Sequence, residues 1–101
     1  MSAVYWVTFR IAERSNSGAR YQALMDSLRE ITKGPWWVES TSFVLFRSDL
    51  DIDDVALTVA ACIDSTMDLA LVGMPDFKSA RAIGHTTDPD LFELMPFTKK
   101  L

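Results

Sequence analysis

One α+β domain, an antiparallel sheet with helices on one face, is what this sequence predicts, and three observations predict it. Residues 4–12 alternate with period two, the mark of a strand. Two segments, near residues 21–31 and 52–63, repeat their apolar residues at helical spacing. Short β-prone runs follow each of these segments, so the elements read β-α-β-β-α-β.

Each element has its own local cause. In the first strand Tyr5, Val7, Phe9 and Ile11 take one side, and Val4, Trp6, Thr8 and Arg10 the other. The run Glu13-Arg14-Ser15-Asn16-Ser17-Gly18 ends it with turn and cap formers. Tyr21, Leu24, Met25, Leu28 and Ile31 then form the apolar stripe of a helix, with Arg20, Gln22, Asp26, Arg29 and Glu30 opposite. Ser17 is its expected cap, and Gly34-Pro35 its stop.

Residues 36–39 and 42–48 read as two strands divided by a tight turn near Ser40-Thr41; one uninterrupted strand is the alternative. Asp49 or Asp51 caps a second helix, with Asp53 and Asp54 in its positive first turn and Ile52, Val55, Val59, Cys62 and Ile63 on its buried side. Residues 69–73 form a short apolar strand closed by Met74-Pro75, and 77–83 a further edge strand. Asp88-Pro89 opens a short helix through Leu94, limited by Pro96, and the last five residues form a loose tail. This order is the ferredoxin-like split βαβ arrangement, with a core at about residues 3–73 and an extension at 74–101 within a single domain.

Composition narrows the function. Apolar residues make up 49% and charged residues 24% of the 101, the balance of a folded globular domain. The net charge is −4 and uneven: residues 1–50 carry six Lys/Arg against five Asp/Glu, and residues 51–101 four against nine. A pI near 4.7 opposes binding to phosphate backbones or anionic lipid. The start lacks the basic segment of a secretory signal, and no apolar run reaches the length of a membrane span. Cys62 is the single cysteine, so there is no intrachain disulfide, and a cytoplasmic location is expected.

Two helices cover only one face of such a sheet. The other face then needs a cover, and an aromatic patch there marks an interface. The expected interface residues are Val4, Trp6, Trp36, Trp37, Val44 and Phe46, in a homodimer or against another protein. The alternative cover is the chain's own C-terminal segment with Phe92, Leu94 and Phe97.

"VYWVTFRI", a helix, "WWVESTSFVLF", an acidic-capped helix and "DLALVGM" together resemble the small ferredoxin-like proteins related to the second core CRISPR-associated protein. The similarity is to the branch labelled SinR-like, and it spans about residues 3–73. It implies a dimer from a bacterial or mobile-element system. In many members an aspartate at the end of the first strand holds a divalent cation for phosphodiester cleavage. Here Arg10 stands nearest that place and Glu13 lies beyond it, so the resemblance carries no nuclease site over.

The remaining chemistry is sparse. Asp49, Asp51, Asp53 and Asp54 lack the glycine and glutamate of a calcium loop and read as helix-capping groups. His85 lies in a polar loop, and Cys62 on an apolar helix stripe, so a Cys62–His85 pair is not the expected arrangement. Arg10, Arg47, Lys78 and Arg81, interleaved with aromatics, are the candidate nucleic-acid contacts. No catalytic residue, metal or cofactor is expected. The reading is a non-enzymatic interaction or scaffold module. The alternatives are a metal-dependent endonuclease or nucleic-acid binder and, with no residue to name, a small-molecule sensor.

Overall fold

A computed structural model describes residues 2–14, 16–86 and 89–101, with only the backbone of Asp90 and Leu94. Its elements are β1 (Ala3–Arg10), α1 (Ser17–Ile31), β2 (Trp36–Ser40), β3 (Phe43–Ser48), α2 (Ile52–Ala60), β4 (Leu69–Gly73), β5 (Ala80–Gly84), α3 (Asp90–Leu94) and β6 (Thr98–Lys100). The fold is mixed α+β, with the six strands in one sheet ordered β2-β3-β1-β4-β5-β6. Neighbours are antiparallel except β5 and β6, which are parallel. None of the described helices is long and apolar enough to cross a membrane.

Strand register sorts the side chains between the two faces. Tyr5 stands opposite Phe46, Val7 opposite both Val44 and Val72, and Phe9 opposite Ala70. These residues pack with Leu24 and Leu28 of α1 and Val55 and Val59 of α2 into one buried cluster. Each fully buried Val or Leu there stabilises the fold by about 1.5–3 kcal/mol. Period two sends Val4, Trp6 and Thr8 to the opposite face, free of α1 and α2, where Phe43, Leu45 and Leu71 are their cross-strand partners.

The helix starts differ from each other. Asp51 caps α2, its Oδ1 accepting the Asp54 N–H at 2.9 Å, with Asp53 and Asp54 in the first turn. Ser17 does not cap α1: it is the first helical residue, after Asn16 in left-handed backbone at φ 67°. A turn precedes the helix, with Ser17 N–H donating to Arg14 O, and asparagine tolerates that geometry.

The C-terminal third departs most from expectation. β5 begins at Ala80 rather than at 77, because a turn at Met74–Phe77 leaves Phe77 64% exposed. Nor is β5 an edge. The expected loose tail is β6, pairing Thr98 with Ala80, Arg81 with Lys99 and Ala82 with Lys100. The Leu101 N–H adds a bond to Ala82 O. The outer edge of β5 is thus paired from Ala80 to Ala82. α3 lies in the crossover that parallel pairing requires. The proposed cap Asp88 and the Leu94 side chain fall outside the described residues.

Two glycines are required by close approach. The Trp6 indole lies over Gly73, its cross-strand partner, so a methyl there would overlap ring atoms Cζ2 and Cε2. At Gly84, with φ 99°, a side chain would run into the Asp68 carbonyl. Gly73→Ala is expected to destabilise the fold by about 1–3 kcal/mol. In a Trp6→Leu background the same change should cost much less, which a double-mutant cycle in urea would measure.

Candidate functional site

Position by position, the structure separates the sequence candidates. Val4 and Trp6 lie half-buried on the helix-free face, and Trp37, opposite Leu45, is 42% exposed there. Trp37 also packs edge-on against Phe43, with ring centroids 5.9 Å apart. Three expected interface residues do not belong to this face. Val44 and Phe46 are 0% and 2% exposed in the core, because antiparallel pairing with Val7 and Tyr5 turns them under the helices. Trp36 stands opposite Phe46 on that same side, where the Arg29 guanidinium covers its ring at 4.8 Å.

The helix-free face therefore bears Val4, Trp6, Thr8, Trp37, Phe43, Leu45 and Leu71. All but Trp37 are half-buried. Ala80 and Ala82, opposite Gly73 and Leu71, are buried on this face, so its cover is confined to the β5 end. At the β2 end a groove of about 300 Å³ opens, lined by Val4, Pro35, Trp36, Trp37, Leu45, Phe46 and Arg47. A register shift between Trp37 and Ser40 interrupts β2 here. The Trp37 indole N–H donates to Glu39 Oε2 at 2.7 Å.

The basic candidates do not form a strip. Arg81 is withdrawn from the surface: opposite Val72 it turns to the helix side and is 9% exposed. Its Nε donates to Asp53 Oδ1 at 2.7 Å and its Nη1 to Ala80 O at 3.0 Å. Arg10 is exposed at the end of β1 and donates to the His85 carbonyl. Lys78 is exposed in the loop before β5, and Arg47 is exposed beside the groove.

The acidic cluster is divided among structural partners. Asp51 caps α2, Asp53 holds Arg81, and Asp49 pairs with Lys33 at 3.3 Å on the surface. Among the described residues, no group of three or more His, Cys, Asp or Glu side chains could hold a metal. Cys62 and His85 are not brought together. The Cys62 thiol lies against α1, within 3.3 Å of Ser27 Oγ and of the Thr58 carbonyl. His85 follows β5, its backbone N–H donating to Asp68 O.

Sequence reading missed the charged centre of the molecule. Arg20, expected on the solvent side of α1, turns inward to Asp68, whose side chain is fully buried. Asp68 accepts the Ala12 N–H and the Asp64 N–H, each at 2.8 Å, and Arg20 Nε at 2.8 Å. Arg20 Nη2 also donates to Ala12 O. Burial alone would raise the Asp68 pKa. The backbone donors of Asp64 and Ala12 and the Arg20 guanidinium outweigh it and hold the carboxyl below its ordinary range. Buried Tyr5 shows the opposite balance. Burial, then the Asp51 charge, raises its pKa, and its hydroxyl donates to Leu50 O at 2.7 Å. Every Asp68 contact is internal, which makes it an anchor and leaves no open coordination for a substrate.

Set against models of protein families, curated proteins and solved structures, the chain matches none of them.

Because the folded Asp68 pKa lies below its unfolded value, its stabilisation is full above about pH 4. It is lost as pH falls through the folded value. Asp68→Asn is expected to cost about 3–5 kcal/mol at neutral pH, by leaving Arg20 buried without its anion. The variant should also lose much of the wild type's acid sensitivity. Urea unfolding across an acid pH series measures both, and equal stability at neutral pH would refute the anchor.

Proposed function

We propose that this protein is a non-enzymatic interaction module that assembles as a homodimer through the helix-free face of its sheet. The single observation that carries this reading is the continuous apolar surface of Val4, Trp6, Phe43, Leu45 and Leu71, extended by exposed Trp37. Both helices carrying core residues lie on the other side, so this surface has no cover from them. Apolar faces of this kind mark interfaces, and a two-fold pair buries the same patch from both copies.

In this proposal β1 to β4 with α1 and α2 form a ferredoxin-like unit, to which β5 and β6 add two strands. The order β2-β3-β1-β4, antiparallel at each step, supports it. The resemblance to the small CRISPR-associated proteins belongs to the same proposal, as kinship without cleavage. Its support is Arg10 at the strand end where a cation would need a carboxylate.

Sedimentation at low micromolar concentration tests the assembly. The wild type should be a dimer, and Trp6→Glu a folded monomer by near-UV circular dichroism. Trp6→Glu should lower the dimer affinity by roughly thirtyfold or more, the scale of losing a binding hot spot. A monomeric wild type, or a Trp6→Glu dimer of unchanged affinity, would remove the reading. Mg²⁺- or Mn²⁺-dependent cleavage of RNA or DNA by the purified chain would restore the nuclease alternative.

A further inference from the structure

Arg10, in a second groove beside Phe9, Leu69 and Leu71, is bound to the His85 carbonyl, whereas the groove at the β2 end joins apolar walls to an arginine whose side chain makes no hydrogen bond or ion pair among the described residues. Its walls are apolar and aromatic, from Val4, Pro35, Trp37 and Leu45, and its one charged lining group is Arg47. Arg47 stands opposite Val4 in the β1–β3 register, which places it on the groove side of the sheet.

The other arginines that meet a partner do so within the fold. Arg20 is bound to Asp68, Arg81 to Asp53 and Arg10 to the His85 carbonyl, while Arg29 lies on Trp36. The Arg47 side chain makes no hydrogen bond or ion pair among the described residues. A guanidinium offers a fork of N–H donors suited to a carboxylate or sulfonate. Apolar walls beside it suit the body of the same ligand.

The charge around the groove sets the ligand's size. Glu39 holds its carboxylate against the Trp37 indole N–H. A polyanion threading the groove would meet that charge, in a chain of net charge −4. A single anionic group facing Arg47 would not. A volume of about 300 Å³ also matches the smaller sites that hold compact organic molecules. We propose that this groove binds a small amphipathic monoanion, its flat or branched apolar body against Trp37 and Leu45 and its carboxylate or sulfonate on Arg47. This site shares Val4, Leu45 and Trp37 with the proposed dimer face but not Trp6, so it stays open in a Trp6→Glu monomer and does not rest on dimerisation.

The probe is 1-anilinonaphthalene-8-sulfonate, with uncharged N-phenyl-1-naphthylamine as its comparator. Each is titrated by fluorescence into wild type, Arg47→Gln, Trp37→Ala and Trp6→Glu. One sulfonate probe should bind per chain. Arg47→Gln should weaken it by about fivefold, the scale of one exposed ion pair, and leave the neutral probe unchanged. Trp37→Ala should weaken both probes. Should that variant fail to fold, the exposed Arg47→Gln change still decides the question. Trp6→Glu should retain the site, so a dimer that covers the groove does not hide it. Equal affinity of wild type and Arg47→Gln for the sulfonate probe, or several equivalent sites per chain, would overturn the proposal. Sedimentation of each variant reports the dimer independently.

Discussion

The buried carboxylate of Asp68 ties together three parts of the chain that share no secondary structure. It reaches the backbone of Ala12 after β1, the guanidinium of Arg20 in the first turns of α1, and the backbone of Asp64 after α2. Its own carbonyl accepts the His85 N–H beyond β5. An ionised carboxylate out of water is tolerable only with donors on its oxygens. Four hydrogen bonds meet that demand here, two from backbone and two from Arg20. Gly84 belongs to the same junction, because any side chain there would strike the Asp68 carbonyl.

With α1 held at that point, Leu24 and Leu28 meet the Tyr5, Val7 and Phe9 side of β1. α2 completes the layer with Val55 and Val59, and its first-turn Asp53 reaches Arg81 on β5. The polar anchors and the apolar core therefore lie on one side of the sheet. The opposite side has no cover from α1 or α2 and carries Val4, Trp6, Phe43, Leu45 and Leu71 across its middle. That imbalance is the physical basis of the proposed assembly, and it comes from strand parity rather than from any single residue.

The two ends of the sheet are finished differently. At one end β6 pairs along β5, and the alanines of β5 are buried. At the other, β2 is short and carries a bulge, and the groove opens beside Trp37 and Arg47. The proposed ligand groove therefore lies at the β2 end of the sheet. A dimer face at the middle of the sheet and a ligand groove at its margin can share one surface.

Local pattern was enough for much of this. Period two in residues 4–12, the helical stripes and an aspartate cap at Asp49 or Asp51 were legible because each is a relation between residues close in sequence. So was the existence of a helix-free face bearing Val4 and Trp6. The sequence could not sort Trp36 from Trp37, or Val44 and Phe46 from Phe43 and Leu45, because their face depends on which β1 residue stands opposite. A shift of one residue would exchange the two sets. Arg20 looked like a surface charge and Asp68 drew no reading, since a pair 48 residues apart leaves no mark in either segment. Three charged-tail residues become β6 only because β5 offers them unpaired backbone. The amino-acid order by itself thus determined the elements from β1 to β4 and the two-sidedness of the sheet. Tertiary pairing decided the partners, because register and buried charge are settled between distant segments.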